Sequence, residues 1–284
     1  MPISADGTVD TSLIETQLES DIFEVTSKSI ERYALAVNDH NPQYLNRAAS
    51  KNVVAPPAFA IVPAMRVLRN AMANGTLPLS INRTVHGQHE MTFTSPIRSG
   101  DILVSSARVR DVNEHSSGTT VEIEIDVNRE DGFACVNQIL TAFVRRTTNI
   151  GSRPRPRVPE AEPLHVAVMK VTADQSLRYA RASFTEGIEP HESHEAACAL
   201  GYRTIFLQGQ CTMAFAAKAL VDNVAEGDPT LLRSIRVRFS QAVYPFDVLT
   251  TQIWYTGKHG GYKFNMVKDD GTLALTNGMA VVTN

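Results

Sequence analysis

Between Phe184 and Tyr202 the chain reads FTEGIEPHESHEAACALGY, which gathers carboxylates, the imidazoles of His191 and His194, and the thiol of Cys198. Carboxylates and imidazoles are the side chains most used to move protons in catalysis, so this stretch is either a catalytic loop or a polar surface connection. Other combinations are less specific. His86-Gly87-Gln88-His89-Glu90 carries two histidines, but not at the His-Glu-x-x-His spacing of a metalloprotease helix, and it precedes an alternating segment expected as a strand over 91–95. No metal site is expected there. Cys211 opens an apolar helical segment, where a cysteine behaves as a small buried hydrophobe. Arg233, Arg236 and Arg238 recur along one strand and are expected on one face, where guanidinium groups suit phosphates; a solvated strand surface has the same pattern. Tyr44 is expected either to line a substrate tunnel or to pack with its hydroxyl bonded.

These residues need elements to hold them. The 284 residues are 43% hydrophobic, enough for a substantial core, and 27 basic against 30 acidic side chains give a net charge of −3. That balance, without a basic block, excludes the electrostatic footprint of a nucleic-acid binder. The N-terminus shows no secretory signal and no segment has the length and apolarity of a membrane span, so a soluble, cytoplasmic protein is expected. Three widely spaced cysteines, Cys135, Cys198 and Cys211, fit a reducing compartment better than a disulfide framework.

The chain repeats itself. VTSKSIERYA from Val25 returns as VTADQSLRYA from Val171, and FTSPIRSGDIL from Phe93 returns as FSQAVYPFDVL from Phe239, both displaced by 146 residues. Asp101 thus matches Asp247. Two copies of one supersecondary unit follow from a shared displacement. The Arg- and Pro-rich stretch 151–163 separates them as an extended spacer, giving an N-terminal unit over 1–150 and a C-terminal unit over 164–284. Within each copy a short helix (27–37; 173–182) leads through a polar loop to a longer apolar helix (57–73; 211–225) and then to alternating strands, among them 119–127 and 231–239. One long helix followed by strands predicts an α+β arrangement, an antiparallel sheet wrapped round the helix.

At this level of detail a family resemblance emerges. Asp39-His40-Asn41-Pro42-Gln43-Tyr44 in copy one, and in copy two Ala196-Ala197-Cys198-Ala199-Leu200-Gly201-Tyr202, Leu207-Gln208-Gly209-Gln210-Cys211-Thr212-Met213 and Val243-Tyr244-Pro245-Phe246-Asp247-Val248-Leu249, resemble the motifs of MaoC-like (R)-specific enoyl-CoA hydratases and dehydratases. The resemblance implies a double hot-dog fold with a degenerate first half, where Tyr44 stands for the catalytic histidine. Counted back from the Ala-Ala run, the family's aspartate and histidine fall on Glu186 and His191. Counted forward from Tyr179, the aspartate position falls on Thr185, one residue having been inserted. Gln208 replaces a histidine beside substrate.

The activity so implied is reversible hydration of trans-2-enoyl-CoA, with Glu186 and His191 sharing a water and the Gly209 amide binding the thioester oxygen. Tyr44, Gln208, Arg233, Arg236 and Arg238 would contact substrate. No cofactor is implied beyond the CoA or acyl-carrier-protein thioester, and a homodimer is expected. A hot-dog thioesterase and a noncatalytic thioester-binding subunit are the alternatives.

Overall fold

The computed structural model describes residues 9–45, 52–80, 82–146 and 162–283. Copy one runs β1 (Gln17–Glu24), α1 (Ser27–Ala36), a 3₁₀ turn (Pro57–Ala60) continuing into α2 (Ile61–Ala73), then β2 (Thr84–Phe93), β3 (Ile102–His115), β4 (Gly118–Arg129) and β5 (Ala134–Arg145). Copy two runs β6 (His165–Lys170), α3 (Gln175–Ser183), α4 (His194–Ala199), α5 (Gly209–Val224), β7 (Leu232–Phe239), β8 (Val248–Tyr255), β9 (Gly261–Lys268) and β10 (Leu273–Val282). The expected elements are present, with helix ends moved by one or two residues. The spacer at 151–163 falls almost wholly outside the described residues.

Ten strands form one antiparallel sheet in the order β1-β3-β4-β5-β2-β7-β10-β9-β8-β6. Each half orders its strands alike and the two meet edge to edge where β2 pairs with β7, Met91 opposite Ile235. Alternation explains the strands: along β4 the buried side chains are Thr119, Val121, Ile123, Ile125 and Val127, and the residues between them face outward. Against the inner face lie the two long helices. α2 buries Ile61, Ala64, Val67, Leu68 and Ala71 on a helical stripe, whereas α5 is buried almost all round, its alanines letting the strands of copy two and the 3₁₀ turn of copy one approach closely.

The short helices lock the halves together. Gln175 Nε2 donates to Ala36 O (2.6 Å) and Arg178 Nη1 to Leu35 O (2.8 Å), so α3 supplies donors and positive charge to the C-terminal carbonyls of α1. Arg178 also donates to Asn38 Oδ1 at 2.9 Å.

Candidate functional site

The polar loop of each half leaves its short helix in the same way. Asn38 (φ 54°) and Phe184 (φ 55°) both adopt the left-handed conformation that ends a helix, and the next N–H turns back on the helix: Asp39 to Ala34 O at 2.8 Å, Thr185 to Ala180 O at 2.9 Å. Thr185 therefore occupies the place of Asp39, as counting forward from Tyr179 gives. Further on, the N–H of Tyr44 closes on Asn41 O and that of His191 on Ile188 O, both at 3.0 Å. His191 therefore stands where Tyr44 stands, and the inserted residue lies between Thr185 and Ile188. Glu186 is exposed; beside it Gly187 (φ 86°) closes the loop by donating its N–H to Glu192 Oε1 at 3.1 Å.

His191 is held on three sides. Its Nδ1 lies 2.8 Å from the Phe206 carbonyl, which can only accept, so Nδ1 carries the proton and Nε2 keeps its lone pair. Nε2 has no protein partner among the described residues. Burial pushes the imidazole down to about 4, opposed only by that carbonyl, so the ring is neutral at pH 7. Phe206 packs at 4.5 Å between ring centres and is itself stacked on Tyr202. Beneath, the fully buried Ser176 donates Oγ–H to His191 O at 2.6 Å and has Gln208 Oε1 at 3.2 Å, while Gln208 Nε2 donates to Ser176 O at 3.3 Å. Gln208 is thus turned into α3. Ser176 was not singled out from the sequence, although it stands where copy one has the buried Ile30, and a polar residue at a repeated core position is a legible signal.

Gly209 opens α5. The first N–H bonded back to Gln208 O is that of Cys211, at 3.0 Å, so the amides of Gly209 and Gln210 precede the helical ladder, at the positive end of the helix. A Cβ at 209 would come within 3.1 Å of the Phe239 ring, so only glycine fits without moving it. Through Ser176 the structure brings His191 and the Gln208-Gly209 mouth of α5 together; Glu186 stays on the outside of the loop.

Copy one carries the complementary remnant. Pro56 (φ −53°, ψ 141°) precedes its helix as Gln208 (φ −59°, ψ 138°) precedes α5, which puts Pro57 opposite Gly209. Proline has no N–H, so this helix mouth lacks that donor. Asp39 is buried, its Oδ1 accepting from the Asn41 N–H at 3.1 Å; burial raises its carboxyl above the usual range, against Lys218, whose Nζ is 4.0 Å away. The buried Tyr44 hydroxyl has no hydrogen-bond partner among the described residues.

The remaining candidates sit apart from His191. Arg233, Arg236 and Arg238 are all exposed, and Arg233 Nε donates to Thr283 Oγ1 at 3.0 Å. The step of three between Arg233 and Arg236 would place them on opposite faces of a regular strand; a bulge, where Leu232 and Ser234 pair with the adjacent Val282 and Val281, restores the common face. His86 and His89 do not precede a strand, as expected, but lie within β2. A register shift between His86 and Gln88 turns both rings inward, 4.9 Å apart, with His89 Nε2 on Gln138 Oε1 at 3.0 Å. Cys211 is buried in the core.

Two family models divide the chain: a FAS1-like dehydratase domain region matches residues 12–136 and a MaoC-like domain matches residues 155–276. The chain is 24% identical over 270 residues to peroxisomal multifunctional enzyme type 2 of Drosophila melanogaster, covering 87% of this chain but only 44% of that protein. It is 22% identical over 268 residues to the enoyl-CoA hydratase ChsH3 of Mycobacterium tuberculosis, covering 91% of both. A crystal structure of a MaoC-like dehydratase from Phytophthora capsici superposes with a TM-score of 0.81 at 20% identity, covering 97% of this chain and 98% of that one. With two halves of one fold joined at β2 and β7, the chain carries a FAS1-like dehydratase region followed by a MaoC-like domain and has the double hot-dog, α+β architecture.

Proposed function

We propose that the chain is a hydro-lyase for acyl thioesters, interconverting trans-2-enoyl-CoA and (R)-3-hydroxyacyl-CoA. The observation that supports it best is His191: neutral, fixed in one tautomer by Phe206, and seated beside the mouth of α5 with Nε2 open. Nε2 takes a proton from water as the oxygen adds to C3, the Gly209 N–H binds the thioester oxygen as it gains charge, and a proton returns to C2. Glu186 is the second group on the water. It is one methylene longer than aspartate and one residue beyond the Thr185 position, and must turn inward from its exposed position. Gln208 acts on substrate only through its hold on Ser176, and the arginines of β7 meet CoA phosphates from outside. The proposal takes CoA or acyl-carrier-protein thioesters as substrate and a homodimer in the cytosol as the working form, with units 1–150 and 164–284 joined by 151–163. The relative named as an enoyl-CoA hydratase points the same way.

Thr185 in the aspartate position favours a second reading, a thioester-binding subunit without turnover. Crotonyl-CoA separates them. Loss of enoyl absorbance without release of free thiol supports hydration; thiol release supports a thioesterase, and binding with neither change supports the noncatalytic subunit.

A further inference from the structure

The two outer edges of the ten-stranded sheet are built differently. β1 closes one side with a register shift between Leu18 and Asp21 and with Glu19, Ser20, Ile22 and Glu24 exposed. A bulge and charges along an edge are guards against pairing with another strand. β6 closes the other side with no register shift, and its one carboxylate-free charge is its last residue, Lys170. Its outer face instead exposes Val166 (53%) and Val168 (62%), with Leu164 (58%) just before the strand. The backbone of that edge is open as well. Val171 donates its N–H to Asp247 O in line with the β6–β8 ladder, so alternation turns the N–H and C=O groups of Val166 and Val168 away from β8.

From Glu162 to Lys170 every second residue is exposed, and the exposed set is Glu162, Leu164, Val166, Val168 and Lys170. One end is negative, the middle apolar and the other end positive. Laid antiparallel on itself about Val166, the set is self-complementary: Glu162 meets Lys170, Leu164 meets Val168 and Val166 meets Val166. A parallel arrangement would oppose like charges at both ends. The joint of β2 with β7 already pairs equivalent strands of the two halves edge to edge. We propose that β6 is the contact between two copies of the chain, paired antiparallel about a twofold axis at Val166, so that the sheet continues from one copy into the other. Each Val166 N–H then donates to the Val166 carbonyl of the second copy, and the contact is isologous, as a twofold axis requires. This inference rests on the homodimer reading and gives it a surface.

Sedimentation equilibrium of the full chain tests it, with circular dichroism to show that each variant is folded. A dimer is expected. Val166→Lys, which sets two like charges on the axis, should leave monomers. Lys170→Glu should weaken the dimer by about ten-fold, and Glu162→Lys likewise, whereas the double exchange of Glu162→Lys with Lys170→Glu should restore it. Ile22→Lys, on the β1 edge, should leave the dimer as it was. A dimer that survives Val166→Lys, that is lost in Ile22→Lys, or that the double exchange does not restore would overturn this surface while leaving a homodimer standing. A monomeric unmodified chain would overturn both. The hydratase reading is separate, since crotonyl-CoA turnover is read on its own.

Discussion

A single carbonyl decides what His191 can do. Because Phe206 O fixes the proton on Nδ1 and burial holds the ring neutral, Nε2 is a base throughout the ordinary pH range. The sign follows from the lowered value: protonation, and loss of the base, comes only as pH falls towards about 4. The rate of crotonyl-CoA hydration should accordingly be flat between about pH 5.5 and 7.5, and an inflection near the usual histidine value of 6.5 would show a different environment. Gly209 is a second test at this scale. Gly209→Ala brings a Cβ against the Phe239 ring and shifts the amide; a misplacement of about 1 Å costs on the order of 10²-fold in rate, with substrate binding much less affected.

Among the elements, the turn before β8 shows how the repeat preserves structure while its residues change. In both copies an aspartate closes it: Asp101 Oδ2 accepts from Arg98 N–H at 2.7 Å, and Asp247 Oδ2 from Tyr244 N–H at 2.9 Å. Between them copy one has Gly100 (φ 96°), but copy two has Phe246 at φ 71° and 75% exposed. A bulky side chain in that region is strained, and Phe246→Gly should raise stability by roughly 0.5–1 kcal/mol, seen as a higher urea midpoint at unchanged slope. The matched aspartates were legible because both lie 146 residues apart with the strands. Less was legible in the loops. The helix mouths Pro57 and Gly209 are 152 residues apart, so a repeat registered on strands misaligns them, and the insertion after Thr185 made the aspartate position fall on Glu186 when counted from one side and Thr185 from the other. Arg233 and His86 defeat simple alternation for the same physical reason: a bulge shifts the phase of the strand, and nothing local in the sequence announces it.

At the scale of the whole molecule, the joint between the halves carries a polar cost. His89 and the ring nitrogens of His86 are buried side by side near that joint, and both imidazoles are pushed down by burial, His89 to about 4. Their pKa values are lower folded than unfolded, so the unfolded chain binds more protons below 6.5, and stability is lost as pH falls from about 6.5 towards 4. For His89 alone this is on the order of 3 kcal/mol. Urea midpoints should drop over that interval, and His89→Gln should flatten the dependence. The joining of β2 to β7 was not legible, since the sequence shows two units but not which edges meet.

The account stands on the second half as the place of chemistry, and on His191 as its base. The most direct measurement is the kcat for crotonyl-CoA hydration in His191→Ala beside the unmodified chain, with circular dichroism to show that both are folded. A loss of about 10²-fold or more is predicted. A folded variant that hydrates crotonyl-CoA at the unmodified rate would contradict it.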